Sequence, residues 1–181
     1  IVSRGDLIRK INFPKYIIVI SGTISALINL TFNLLVVFVF MLINQVDIKA
    51  TILLLPLNII ELYVFALAVA FFLAAAYVKF RDISHIWEVF LQAAFYATPI
   101  LYPLTIVINQ SREAAQVMLL NPVAQIIQDA RYNAITHQTL TTDDLIKNPA
   151  FIIVPYAIVF VSIVLASWYF RRSQKYFAEN V

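Results

Sequence analysis

Residues 16–43 read YIIVISGTISALINLTFNLLVVFVFMLI and residues 51–78 read TILLLPLNIIELYVFALAVAFFLAAAYV, with only NQVDIKA over 44–50 between them. A helix needs about 20 residues to cross a hydrocarbon core of ~30 Å, and each run exceeds that. The only charged side chain in the two runs is Glu61. Two such runs on so short a connection form a membrane hairpin. The pattern continues beyond it. A basic break, Lys79-Phe80-Arg81-Asp82, precedes a third apolar stretch over 83–108 that carries Pro99 and Pro103, and a fourth covers 151–170 and stops at Arg171-Arg172. The sequence therefore predicts an all-α integral membrane protein with four transmembrane helices, plus short outer re-entrant or interfacial helices, in a single transmembrane domain over 1–181.

Composition agrees. Of the 181 residues 62% are hydrophobic and 13% charged, with a mean hydropathy of +0.85, against about 25% charged in soluble domains. The absence of cysteine excludes disulfide frameworks, thiol nucleophiles and thiolate metal sites. The two histidines, His85 and His137, have no metal-ligand or triad partner at a recognisable spacing, so no metal site is expected. With glycine only at Gly5 and Gly22, a Gly-rich phosphate loop is missing and nucleotide binding is not expected in this chain. The net charge of +3 comes from basic residues at the edges of apolar stretches, which points to topology and not to nucleic acid. The chain opens on Ile1, without a signal-peptide pattern, and reads as lacking the N-terminal part of the native protein.

Orientation follows from lysine and arginine, because short positively charged loops stay in the cytoplasm. Arg4, Arg9, Lys10, Lys15, Lys79, Arg81, Arg171, Arg172 and Lys175 fall on one side; Lys49, Arg112, Arg131 and Lys147 fall on the other. The first side, with both ends of this chain, is expected to be cytoplasmic. The segment over 104–149 then lies outside, too long for a turn and too apolar for a disordered loop. Two short helices are predicted there, over 113–120 and 123–134, separated by Asn121-Pro122. In the second, Val123, Ile126, Ile127, Ala130 and Ala134 share helical spacing while Gln125, Gln128, Asp129 and Arg131 fall on other faces, as in an amphipathic helix at the outer interface. Thr141, Thr142, Asp143 and Asp144 form a capping-type lead-in, and Asn148-Pro149 opens the last span.

Few residues are candidates for chemistry. Glu61 sits about ten residues inside the second span, where a carboxylate costs several kcal/mol unless it has a partner or a wet cavity. It is either a lining or coupling residue, or a hydrogen-bonded carboxyl that holds helices together with Asn29 and Asn33 as partners. Ser25, Asn29 and Asn33 share one face of the first span, which must meet protein or water. The third stretch carries Trp87, Phe90, Phe95, Tyr96 and Tyr102. This density suits either a surface for stacking sugar rings or the aromatic belt of any membrane protein.

The short patterns occur in a telling order. Asp6-Leu7-Ile8-Arg9-Lys10-Ile11-Asn12-Phe13-Pro14-Lys15 runs straight into a span; Phe80-Arg81-Asp82-Ile83 follows the second span; Thr98-Pro99-Ile100-Leu101-Tyr102-Pro103 precedes Asn121-Pro122 and Arg131; and the chain closes with Tyr169-Phe170-Arg171-Arg172 and Tyr176-Phe177-Ala178-Glu179. Over the whole chain this resembles the type-two ABC transporter permeases that export polysaccharides and polyol phosphates such as O-antigen and teichoic acid. The family has six spans and an N-terminal amphipathic helix, so two spans and that helix lie outside this sequence. The resemblance implies a homodimer in the inner or plasma membrane, with an ATP-binding cassette ATPase subunit on each protomer. No cofactor is implied in this chain, and ATP and Mg belong to the ATPase. It further implies ATPase coupling through Leu7, Ile8, Arg9, Lys10, Phe13 and Pro14. A path for a lipid-linked glycan is implied along Glu61, Trp87, Phe90, Phe95, Tyr96 and Tyr102, and an outer gate at Pro99, Pro103, Asn121, Pro122 and Arg131. Two other classes compete: an ion-coupled secondary transporter using Glu61, which calls for internal repeats and paired broken helices, and a membrane-embedded enzyme of glycan assembly, which calls for clustered acidic or basic groups at one membrane face.

Overall fold

A computed structural model describes residues 16–80 and 82–173. The coupling segment expected over 1–15, Arg81 and the basic, aromatic tail from residue 174 onward lie outside the described residues. Among the described residues regular structure is helical throughout. Helix α1 is Tyr16–Ile43; a 3-10 turn, Ala50–Leu54, leads into α2, Leu55–Lys79; then come α3, Ile83–Ala97, α4, Leu104–Gln110, α5, Arg112–Leu119, α6, Pro122–Ala134, α7, Thr142–Leu145, α8, Pro149–Ile152, and α9, Val154–Ser173. Three helical segments are long and apolar enough to cross a membrane: 16–43, 50–79 and 149–173.

The hairpin between the first two turns on Gln45, whose φ of 53° lies in the left-handed region. The Val46 amide bonds Met41 carbonyl at 3.0 Å and the Gln45 amide bonds Leu42 carbonyl at 3.2 Å, the Schellman pattern that satisfies the last carbonyls of α1.

The third apolar stretch does not form the continuous span expected over 83–108. It breaks between Thr98 and Pro103. Pro99 lacks an amide donor and disfavours helical geometry in the residue before it; Thr98 is accordingly extended, at φ −104° and ψ 138°. Pro103, at φ −73° and ψ 143°, then starts α4. The remaining α3 has 15 residues, about 22 Å at 1.5 Å per residue.

Helices α2 and α9 pack along small residues. Ala68, Ala75 and Ala76 of α2 are buried with Val159, Ala166 and Phe170 of α9, and side chains this small let membrane helices approach closely. At one end Phe71 meets Phe170 with ring centroids 5.0 Å apart, and Val19 of α1 joins Ala75, Val78 and Phe170 in one cluster. The start of α1, Lys79 and Arg171-Arg172 therefore share an end of the bundle, called here the basic end. At the opposite, hairpin end, α4 to α8 form a cap with its own core of Leu104, Ala115, Leu119, Leu145 and Ile146. Cap helices begin at side-chain caps: Ser111 Oγ accepts from the Ala114 amide at 3.2 Å, Asn121 Oδ1 from Val123 at 3.0 Å and Asn148 Oδ1 from Ala150 at 3.0 Å.

Ala75 is 1% exposed, so Ala75→Leu is expected to destabilise the bundle by about 1–3 kcal/mol through overpacking. The check is a lower melting temperature in detergent; an unchanged value would mean that α2 and α9 do not seat on each other along this alanine row.

Candidate functional site

Helix α6 is the centre of the cap; it buries Ala124 and Ile126 and also makes polar contacts to its neighbours. Pro122 occupies its first turn, where a missing amide donor costs nothing, and Asn121 caps it. It runs antiparallel to the start of α2. Near its end, Asn133 Nδ2 donates to Asn58 Oδ1 at 2.9 Å, and Thr51 Oγ1 donates to the Asn133 carbonyl at 3.1 Å. His137, just beyond, stacks on Tyr132 and lies 3.0 Å from both Lys49 Nζ and Thr51 Oγ1.

Arg131 projects to the break in the third stretch. Its Nη1 donates to the Pro99 carbonyl at 2.7 Å and its Nη2 to the Ile100 carbonyl at 2.6 Å. Where the helical ladder stops, two backbone acceptors are taken by one planar fork, the geometry at which guanidinium excels. Tyr102 adds a second tie across the break by donating to the Tyr96 carbonyl at 3.0 Å. Of the expected gate residues, the structure thus joins Arg131 to Pro99; Asn121 and Pro122 lie at the other end of α6, and Pro103 opens α4.

The start of α6 faces α2 and α9. Gln125, fully buried, donates from Nε2 to Asp129 Oδ2 at 2.6 Å and to the Tyr156 hydroxyl at 3.2 Å, while that hydroxyl donates to Asp129 Oδ2 at 3.3 Å. Glu61 of α2 lies against Gln125 and Asp129. Its Oε1 and the Gln125 Oε1 are buried without a hydrogen-bond partner. The expected pairing of Glu61 with Asn29 and Asn33 is therefore not found. Asn33 Nδ2 instead bonds the Asn29 carbonyl of its own helix at 2.8 Å, and both residues are exposed. Trp87, Phe90, Phe95 and Tyr96 all belong to α3.

Sequence periodicity also misplaces the faces of α6. Gln125 and Gln128 were expected away from the apolar face, yet they are 0% and 1% exposed. Helix α6 is covered by α2 on one side and α9 on another, so it is a helix of the bundle's interior and not one lying on a surface. The i, i+4 pair of Gln125 and Asp129 was the one available signal of a built node.

Burial raises the Asp129 carboxyl above its ordinary value, and nearby Asp143 adds to the rise, while the Gln125 and Tyr156 hydrogen bonds oppose it. The folded protein thus holds this proton more tightly than the unfolded chain. Its contribution to stability is full below the ordinary aspartate range and is lost as pH rises through the raised value. Melting temperatures between acid and neutral pH are expected to fall less steeply in Asp129→Asn than in wild type. Arg131→Ala removes both donors from the break and is expected to cost about 1.5–3 kcal/mol for each charged hydrogen bond lost. Arg131→Lys should recover only part of that, because an ammonium does not reproduce the two-pronged geometry; full recovery of the melting temperature by lysine would refute the clamp.

No protein-family model matches the chain. It is 31% identical, over 185 aligned positions, to the O-antigen export system permease protein RfbA of Myxococcus xanthus. The match takes in all of this chain and 66% of RfbA, so the chain spans just under two thirds of its relative's length. The similarity to an O-antigen export permease therefore runs along every helix described above, on an all-helical membrane architecture.

Proposed function

We propose that this chain is the membrane-spanning part of an ATP-driven exporter that moves a lipid-linked polysaccharide or polyol-phosphate polymer across the inner or plasma membrane. The observation that carries the reading is the whole-chain similarity to an O-antigen export permease. In this reading the basic end faces the cytoplasm, as its lysine and arginine content favours. ATP and Mg are bound by a separate ATP-binding cassette subunit, which docks on Leu7, Ile8, Arg9, Lys10, Phe13 and Pro14. This chain transports and does not hydrolyse.

Two faces of the bundle support a path completed by a second copy. Ser21, Ser25, Asn29 and Asn33 form an exposed polar stripe on α1, and no residue of α3 is buried. Polar groups at membrane depth are tolerated only against protein or water. On α3, Trp87 stacks on Phe90 with centroids 5.1 Å apart, and Phe95 meets Tyr96 edge-on. Such rings offer sugar faces broad contact without tight binding. The clamped break and α6 act as the outer gate, because releasing the Arg131 and Tyr102 ties would free a proline-broken segment to take a second arrangement. Glu61 belongs to the support of that gate and not to the path.

The test uses the full-length permease in lipid nanodiscs with the ATPase from its own operon. Wild type is expected to bind the ATPase and raise its turnover, and Arg9→Glu/Phe13→Ala to abolish both while still inserting in the membrane. An ATPase that fails to bind wild type, or binds both proteins equally, would overturn the reading.

A further inference from the structure

The connection between α1 and α2 is tied to the far end of α6 by a chain of hydrogen bonds whose directions are fixed. His137 lies half-buried just beyond α6, stacked on Tyr132 with ring centroids 4.4 Å apart. Lys49 Nζ is 3.0 Å from its Nδ1, and Thr51 Oγ1 is 3.0 Å from its Nε2. A lysine ammonium only donates, so Nδ1 must accept and carries no proton. The neutral imidazole then holds its one N–H at Nε2 and donates it to Thr51. Thr51 passes the direction on, its hydroxyl donating to the Asn133 carbonyl at 3.1 Å. Lys49, His137, Thr51 and Asn133 thus satisfy one another only with the imidazole neutral and in a single tautomer.

A second proton on the ring breaks one of these bonds and spares the other. Nδ1–H would face the ammonium, donor against donor and charge against charge, whereas Nε2–H still reaches Thr51. We propose that His137 is a proton-operated latch on the hairpin: neutral, it ties Lys49 and the connection over 46–50 to the end of α6; protonated, it releases that connection while Thr51 stays bonded. Histidine is the side chain that ordinarily changes charge between about pH 5 and 8. Among the described residues, the titratable and charged groups that line the same small cavity are Asp47 and Lys49 from the connection and Tyr132 from α6. Asp47 is a counter-charge for the imidazolium and favours the released state, against Lys49. The other charged residues of α6, Asp129 and Arg131, are bonded to Gln125 and to the break instead. The released segment is bounded by the Gln45 turn and by Thr51, so α2 and α6 keep the Asn58–Asn133 bond. That the latch meets protons outside the cell rests on the topology of the function proposed above. The tautomer and the tie do not.

The experiment uses the full-length permease in nanodiscs, without ATPase or substrate. Solid-state NMR of protein labelled at the histidine ring nitrogens, with His137 assigned by the signals lost in His137→Asn, is expected to show the Nε2–H tautomer at pH ~8. A nitroxide on Ile48→Cys, an exposed site in the connection, reports the tether in a cysteine-free background. Its mobility is expected to rise several-fold from pH ~8 to pH ~5 with Lys49 and His137 in place. In Lys49→Met it is expected to be high at both, and in His137→Asn not to depend on pH. A neutral ring with its proton on Nδ1, equal mobility at the two pH values with both residues present, or a pH response that survives in either variant would each overturn the latch. None of these measurements involves transport, so a negative result here leaves the export reading standing.

Discussion

Much at the hairpin end depends on how a broken helix satisfies its buried backbone. A proline pair interrupts the third apolar stretch, and the carbonyls of Pro99 and Ile100 lose their helical partners. Groups buried away from water must find donors inside the protein. Arg131 supplies two at once, at 2.7 and 2.6 Å. To reach them, α6 must stand beside the break, and from there its other residues meet α2 and α9. The cap is in this sense built around one guanidinium.

The two ends of the bundle are held by different physics. At the basic end alanines and aromatic rings interlock, with Phe71 on Phe170 and Phe72 on Tyr169; the attraction is dispersion, which varies smoothly with small shifts. At the hairpin end the apolar core of the cap is joined to α2 and α9 by hydrogen bonds among Asn58, Asn133, Gln125, Asp129 and Tyr156, which are directional and weaken steeply with misalignment. The basic end can therefore tilt while staying packed. The hairpin end holds one arrangement or releases it.

Much of this was legible in the residues. Runs of apolar side chains located α1, α2 and α9, and Asn121-Pro122 and Asn148-Pro149 marked the starts of α6 and α8, because capping and proline effects are local. The broken third stretch was half legible: Pro99 and Pro103 were visible, but hydropathy averages over a window and reads through a break that only backbone geometry imposes. The node was hidden. Gln125 looks like a surface residue on any helical wheel, and its burial depends on α9 arriving from more than thirty positions later in the chain. Glu61 drew attention as a charge in a span, whereas its neighbours come from α6 and could not be identified by spacing within α1.

The Asn58–Asn133 bond joins residues 75 apart in sequence, and this separation matters for biogenesis. A ribosome releases the α1–α2 hairpin to the insertion machinery well before it has made α6, and finishes α6 before α9 exists. The second span must enter the lipid while Glu61, Asn58 and Thr51 still lack the groups that will bond them. Its alanine row and long aliphatic stretches carry it in, and the polar residues, clustered in its hairpin-end half, stay near water until the cap closes over them. The polar lock is thus the last thing to be assembled.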